Sequence, residues 1–199
     1  MHVYLVRHAM SQWQVDPVAG LDSGLSSVGE VQAVYLADWA GSRPRLGPHQ
    51  RFEPARLFVS PLCRARLTAA ALAERLGVPA ETCEYLAEPP LSVGTLLPAP
   101  TGPLCPRQAT PPDVRYADVK HRAQRALKVL VEAAEDSAGG VVAVGHGGVI
   151  KTLLRCLFDS DVVCFDLLNT AIVGLEWTRT RWRLTHMNLC EHLPIDLRT

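Results

Sequence analysis

The sequence predicts a three-layer α/β/α fold with a mostly parallel central sheet, and three observations carry that prediction. Residues 2–6, 55–60 and 141–145 are short apolar runs without polar alternation, as strands covered on both faces require. In turn, each is followed by a stretch with apolar residues at helical spacing. Proline and glycine punctuate the boundaries, as with Pro61 and Gly77 around the second helical stretch.

The elements follow in order. After the first strand and an irregular stretch, Ser27 with Glu30 three residues on fits a capping box. Val31, Val34, Tyr35, Ala37 and Trp39 then give an amphipathic helix to about residue 41. Pro44, Gly47 and Pro48 mark a loop before the second strand at 55–60, and a helix spans about 61–76. A short strand falls near 81–86. Between residues 89 and 112 lie eight of the 15 prolines, so no regular element is expected there. A loop this long is a solvated excursion or a functional lid over a site; we place the loop or lid at about 89–115. Residues 116–136 form a long helix with Val119, Ala123, Ala126, Leu127, Leu130 and Ala134 on one side. The third strand follows at 141–145, His146-Gly147-Gly148 opens a helix to Phe158, and 171–177 with 181–187 read as a hairpin.

At 199 residues the chain fits one domain. Net charge is zero, so no broad field draws nucleic acid or an anionic membrane. No stretch approaches the ~18 apolar residues of a membrane span, and the N-terminus enters a strand without a basic region and apolar core of a secretory signal. The six cysteines (63, 83, 105, 156, 164, 190) are scattered without metal-ligand spacing; they read as reduced thiols of a cytoplasmic protein, with no metal site and no cofactor. Seventeen of the 20 basic residues are arginine, a bias typical of a GC-rich bacterial genome.

The chemistry concentrates at the strand ends. Arg7-His8 follows the first strand and His146-Gly147-Gly148 the third, while Arg64 sits in the first turn of the helix after the second. An open α/β sheet puts its site past the carboxyl ends of its strands, where helix starts offer free N–H groups to an anion. The glycines after His146 let that backbone approach a phosphate closely. Three strand ends thus converge on one anion site.

These residues carry a resemblance. Arg7-His8-Ala9-Met10-Ser11-Gln12-Trp13-Gln14, Leu25-Ser26-x-x-Gly29-x-x-Gln32-Ala33, Ser60-Pro61-Leu62-x-Arg64-Ala65-x-x-Thr68-Ala69 and Gly145-His146-Gly147-Gly148-Val149-Ile150 resemble, in order and spacing, the motif blocks of the histidine phosphatase (phosphoglycerate mutase-like) superfamily. The resemblance implies that neutral His8 attacks phosphorus and forms a phosphohistidine. It implies that Arg7, Arg64 and His146 donate to the equatorial oxygens, with Ser11, Gln14 and Gly147 also lining the phosphate pocket. Glu88, in Leu86-Ala87-Glu88 twenty positions after Thr68, matches the family's general acid. The sequence departs from the family at Ala9, where glycine is usual, and at Gln14, where asparagine is common. It also lacks the family's Gly-x-Trp-Glu-Gly, reading Glu88-Pro89-Pro90-Leu91-Ser92-Val93-Gly94 instead.

The expected function is therefore a metal-independent phosphatase acting on a small-molecule phosphomonoester. A phosphoglycerate-type mutase, a phosphoprotein phosphatase and a non-catalytic phosphate-binding module are the alternatives. Hydrolysis fits better than mutase chemistry in a chain of 199 residues without the Trp-Glu-Gly block. No nucleic-acid or membrane partner is expected, and a homodimer is an admissible assembly. Specificity is expected in residues 89–115 and 15–24, which carry no legible motif.

Overall fold

Strand β1 (His2–Arg7) lies inside the sheet because both its faces are apolar: Val3 and Leu5 point one way, Tyr4 and Val6 the other, and all four are buried. The computed structural model describes residues 1–48, 50–97, 99–102, 105–108 and 113–199. In chain order the further elements are α1 (Gln12–Val15), α2 (Ser27–Gly41), β2 (Arg45–Gly47), β3 (Gln50–Arg51), β4 (Arg56–Val59), α3 (Cys63–Leu76), β5 (Ala80–Thr82), β6 (Pro100–Gly102), β7 (Cys105–Gln108), α4 (Val114–Glu135), β8 (Val141–Gly145), α5 (Gly147–Phe158), β9 (Ile172–Trp177) and β10 (Trp182–Leu189).

Six strands form the central sheet in the order β10-β9-β1-β8-β4-β5. The pairs β1–β8, β8–β4 and β4–β5 are parallel, whereas β9 runs antiparallel to β1 and to β10. One face packs Val3, Leu5, Val141, Ala143 and Val173 against Ala126 and Leu130 of α4 and Ile150 and Leu153 of α5. The other packs Tyr4, Val6, Leu57, Val59, Val142 and Val144 against Leu36 and Ala40 of α2 and Ala65, Ala69 and Leu72 of α3. This is the three-layer α/β/α architecture the sequence predicts.

Four expectations need correction. The cap of α2 is Ser26, not Ser27: Ser26 is still extended, and its Oγ accepts the Gly29 N–H at 3.1 Å. The buried face of that helix carries Gly29, Gln32, Ala33, Leu36, Ala37 and Ala40, while Val31, Val34 and Tyr35 are exposed. Small residues won that face because α2 lies close against its neighbours; a Cβ on Gly29 would sit 1.9 Å from the Met10 carbonyl oxygen. The strand expected near 81–86 covers Ala80–Thr82 and gives way to a 3₁₀ turn at Glu84–Leu86. Finally, the proline-rich segment is not devoid of regular structure. It contains a 3₁₀ turn at Val93–Leu96 and the two-stranded antiparallel ladder β6–β7. Prolines are tolerated there because an edge strand needs few N–H donors. The parts of that expected loop at 98, 103–104 and 109–112 lie outside the described residues. Val93 and Leu96 pack on Tyr116 and Val119 of α4, fixing the first half of the segment beside the strand ends.

No helix among the described residues is long and apolar enough to cross a membrane. Gly29→Ala is expected to destabilise the fold by about 2 kcal/mol or more, because the added methyl overpacks against backbone that cannot give way locally. Chemical denaturation of the variant checks this; an unchanged midpoint would mean α2 can shift without cost.

Candidate active site

The parallel register sets the site. Arg7 ends β1 opposite Gly145, which ends β8, and Val59 ends β4 beside Val144. The next residues, His8, His146 and Ser60, therefore emerge together at one edge. His8 donates its backbone N–H to the Gly145 carbonyl at 2.9 Å, and its ring centroid lies 4.9 Å from that of His146.

His8 is 5% exposed. Its Nδ1 lies 2.7 Å from the Ala9 carbonyl, and a carbonyl only accepts, so Nδ1 carries the proton. The lone pair is thereby left on Nε2, where Arg64 Nε donates at 3.2 Å. Burial pushes the His8 pKa from its ordinary 6.5 down to about 3; the Ala9 carbonyl opposes that shift, while Arg64 and Arg7 add to it. The ring is thus neutral across the physiological range, with its free nitrogen fixed by geometry.

Arg64, from the first turn of α3, is anchored by an Nη1 bond to the Leu21 carbonyl at 2.5 Å. Arg7 is anchored by Nη1 to the Leu167 carbonyl at 2.5 Å. Among the described residues, only Arg7 Nε, His146 Nδ1 and His192 Nδ1 are buried side-chain nitrogens or oxygens without a hydrogen-bond partner. Two of these three belong to the cluster around His8. Such orphaned polar atoms are costly unless something completes them. His146, 1% exposed, meets Ser60 Oγ through Nε2 at 2.7 Å. Burial first, then His8, Arg64 and Arg7, lower its pKa to about 2.

Glu88 follows the 3₁₀ turn at Glu84–Leu86 and is held by the start of α5. Its Oε1 accepts the Gly148 N–H at 3.0 Å and its Oε2 the Val149 N–H at 3.2 Å. Arg122 of α4 donates to the Ala87 carbonyl and fixes the same turn. Burial raises the Glu88 pKa above its ordinary value, against the lowering effect of the two N–H groups and of Arg64 and Arg7. This corrects one expectation from the sequence. The Gly148 and Val149 N–H groups at the α5 N-terminus hold Glu88's carboxylate, not an external phosphate. Gly148 is required for that contact, since a Cβ there would meet Glu88 Oε1 at 2.6 Å. The Gly147 position, by contrast, is in ordinary contact range of Arg7 Nε at 3.7 Å.

Ser11 and Gln14 line the cavity but are largely engaged with each other. Gln14 Oε1 accepts from Ser11 N at 3.0 Å, Ser11 Oγ at 3.2 Å and Asn169 Nδ2 at 3.2 Å, and its Nε2 donates to Asn169 Oδ1 at 3.1 Å. One amide N–H of Gln14 is left for an anion. Ala9, another departure from the family pattern, does not line the cavity. Its φ is negative, and its methyl is buried with Leu25 and Ala33.

Four residues of the site were not singled out from the sequence. Thr68 Oγ1 accepts the Ala9 N–H at 3.0 Å and donates to the Arg64 carbonyl at 2.8 Å, tying the loop after His8 to Arg64. Ser60 positions His146, as above. Gln32 accepts the Met10 N–H at 2.8 Å. Asn169, fully buried, donates to the His8 carbonyl at 2.9 Å. Ser60, Thr68 and Gln32 stand inside recognisable blocks, whereas Asn169 carries no local signal.

Arg7, His8, Ser11, Gln14, Arg64, Glu88 and Gly147 all line one cavity of about 910 Å³; His146 sits just behind its wall. The model of the histidine phosphatase superfamily (branch 1) matches residues 3–94 and 103–189. The chain belongs to that superfamily. Solved structures of similar fold include a mycobacterial glucosyl-3-phosphoglycerate phosphatase in complex with VO3, at 23% identity and TM-score 0.70, with 95% of this chain and 99% of that one covered. Another is a phosphoserine phosphatase from Entamoeba histolytica in complex with 3-phosphoglyceric acid, at 22% identity, TM-score 0.70 and coverage of 97% and 99%. A third is YhfR of Bacillus stearothermophilus, at 21% identity, TM-score 0.68 and coverage of 96% and 98%. No curated protein sequence matches the chain. Within this histidine phosphatase superfamily member, the shared fold brings both histidines and both arginines to one strand-end cluster.

Neutral burial of these histidines makes stability depend on pH. His8 and His146, with His192 lowered to about 4 by burial and Arg198, bind protons far more weakly folded than unfolded. Their contribution is complete above pH 6.5 and is lost as pH falls below it, by about 1.4 kcal/mol per histidine per pH unit. Three such groups remove up to about 4 kcal/mol between pH 6 and 5. Glu88, whose folded pKa is raised, works in the opposite sense and offsets part of that loss. Urea midpoints at pH 7, 6 and 5 should therefore fall steeply; a flat series would mean the histidines accept protons while folded.

Proposed function

We propose that the chain is a metal-independent phosphatase that hydrolyses a small-molecule phosphomonoester through a phosphohistidine at His8 Nε2. The observation that carries this reading is the fixed tautomer of His8, with its proton on Nδ1, donated to the Ala9 carbonyl, and its Nε2 lone pair facing Arg64 in the cavity. In the first step the Nε2 lone pair forms a bond to phosphorus while the bond from phosphorus to the ester oxygen breaks. Arg64 moves its Nε–H from His8 to a phosphoryl oxygen, and Arg7 Nε, unpartnered and buried, supplies another donor. Planar guanidiniums anchored by backbone carbonyls suit the charge spread over equatorial oxygens. The Ala9 carbonyl stabilises the positive charge that develops on the imidazole as it is phosphorylated.

The leaving oxygen takes its proton from Glu88. The raised pKa of Glu88 favours the protonated form that a general acid needs. In the second step water attacks phosphorus in line, Glu88 carboxylate takes its proton, the N–P bond breaks, and neutral His8 and inorganic phosphate result.

Phosphate release from wild type should survive chelator and fall to background in His8→Ala. Turnover that persists in that variant removes the phosphohistidine route. Glu88→Gln should slow alkyl phosphates by roughly 10²–10⁴ and aryl phosphates by far less, because a phenolate barely needs its proton. The alkaline limb of kcat/KM should vanish with it. Gly148→Ala, which displaces the Glu88 carboxylate, should show the same alkyl-selective loss to a smaller degree; equal losses on both ester types would take Glu88 out of the acid role.

A further inference from the structure

The cavity holds more positive charge than one phosphoryl group uses. Lys151 and Arg155 stand one turn apart on α5, and both line the cavity beyond Gly147 and Gly148. At 1.5 Å per residue they lie about 6 and 12 Å along the helix from Gly147. Lys151 is partly buried and, among the described residues, has no hydrogen-bond or ion-pair partner. Arg155 is 3% exposed, donates Nε to the Val163 carbonyl at 3.0 Å, and lies over the Phe165 ring at 5.9 Å. Its terminal nitrogens have no carboxylate partner among the described residues.

Lys151 feels Arg7 on one side and Arg155 on the other, so three cations run along one wall. Three acids line the same cavity: Asp22, which accepts the Cys63 N–H at 2.7 Å, Glu88, held at the start of α5, and Asp166. Asp166 lines the cavity within electrostatic range of Lys151 but outside ion-pair distance. Asp161 is bound by the Tyr116 hydroxyl at 2.7 Å and the Lys120 ammonium at 2.9 Å. Burying uncompensated like charges side by side is unfavourable. Trp13, Leu62, Leu91, Val93 and Leu97 give the same cavity an apolar wall.

From this geometry we infer that Lys151, supported by Arg155, forms a second anion subsite, and that the substrate is a phosphomonoester whose apolar body carries a further acidic group, a carboxylate or second phosphate. The inference rests on the phosphatase reading above and names the substrate class of that same site. With the phosphoryl group at His8, the body lies against the apolar wall and the distal anion reaches Lys151. Lys151 then acts as a specificity residue, not as part of the phosphoryl-transfer machinery.

The test compares 4-carboxyphenyl phosphate with its neutral isostere 4-carbamoylphenyl phosphate. Wild type should prefer the carboxylate at least tenfold in kcat/KM. Lys151→Met should bring that ratio close to one, with the loss falling on the carboxylate, and Lys151→Arg should restore the preference. Equal turnover of both esters by wild type overturns the inference and leaves the phosphatase reading standing. Equal losses on both in Lys151→Met put the ammonium on the phosphoryl group and overturn it as well. Binding of the matching benzylphosphonates, carboxylated and carbamoylated, to wild type and Lys151→Met reads the same ratio without turnover. A tenfold preference there that collapses in the variant supports the subsite even if neither ester is hydrolysed, an outcome that would sink the phosphatase reading alone; equal affinities overturn the subsite.

Discussion

Strand register is the constraint on which the active end of this molecule depends. Arg7 opposite Gly145, and Val59 beside Val144, bring the ends of β1, β8 and β4 level. Side chains alternate faces along a strand, so a slip of one residue would exchange the two cores and move every strand-end residue. The cores forbid that slip: Val3 and Leu5 belong under α4 and α5, Tyr4 and Val6 under α2 and α3. Hydrophobic packing on two faces thereby holds two histidines with ring centroids 4.9 Å apart.

That closeness has an electrostatic consequence. Two imidazoles and two guanidiniums share a buried space, so the histidines can be accommodated only as neutral rings. Arginine stays charged at any ordinary pH; histidine gives way instead. Neutrality is also what a nucleophilic nitrogen requires, and the Ala9 carbonyl decides which nitrogen is available. The carboxylate of Glu88, beside the cluster, is tied to backbone N–H groups of α5 instead of to either arginine. The guanidiniums, anchored on the carbonyls of Leu21 and Leu167, are left with donors aimed inward. Paired to a carboxylate, they would have little left for a phosphoryl group.

In the function proposed above, specificity is built from different material. The phosphoryl end uses strand ends and helix starts, which are rigid and spelled out in motifs. The distal end combines one face of α5 with the 89–97 segment, whose Val93 and Leu96 are pinned on Tyr116 and Val119. On that proposal, variation there would change the body of the ligand without disturbing His8.

Sequence by itself determined the layer architecture, because fully apolar strand runs and helical spacing are local patterns. It also pointed to the meeting of His8, His146, Arg7 and Arg64 at one strand-end cluster, because each sits at a fixed offset from a strand end or in the first turn of a helix. What it misjudged were choices between faces and partners. Val31, Val34 and Tyr35 read as the buried stripe of α2, yet close packing against Met10 selected the small residues instead. The glycines after His146 read as a phosphate cradle, but Gly148 serves Glu88, sixty residues away along the chain. Asn169 reaches the His8 carbonyl across 161 residues and leaves no local trace. Only the tertiary structure decided these, because a pairwise contact between distant segments depends on where the cores place them, and periodicity carries no information about that.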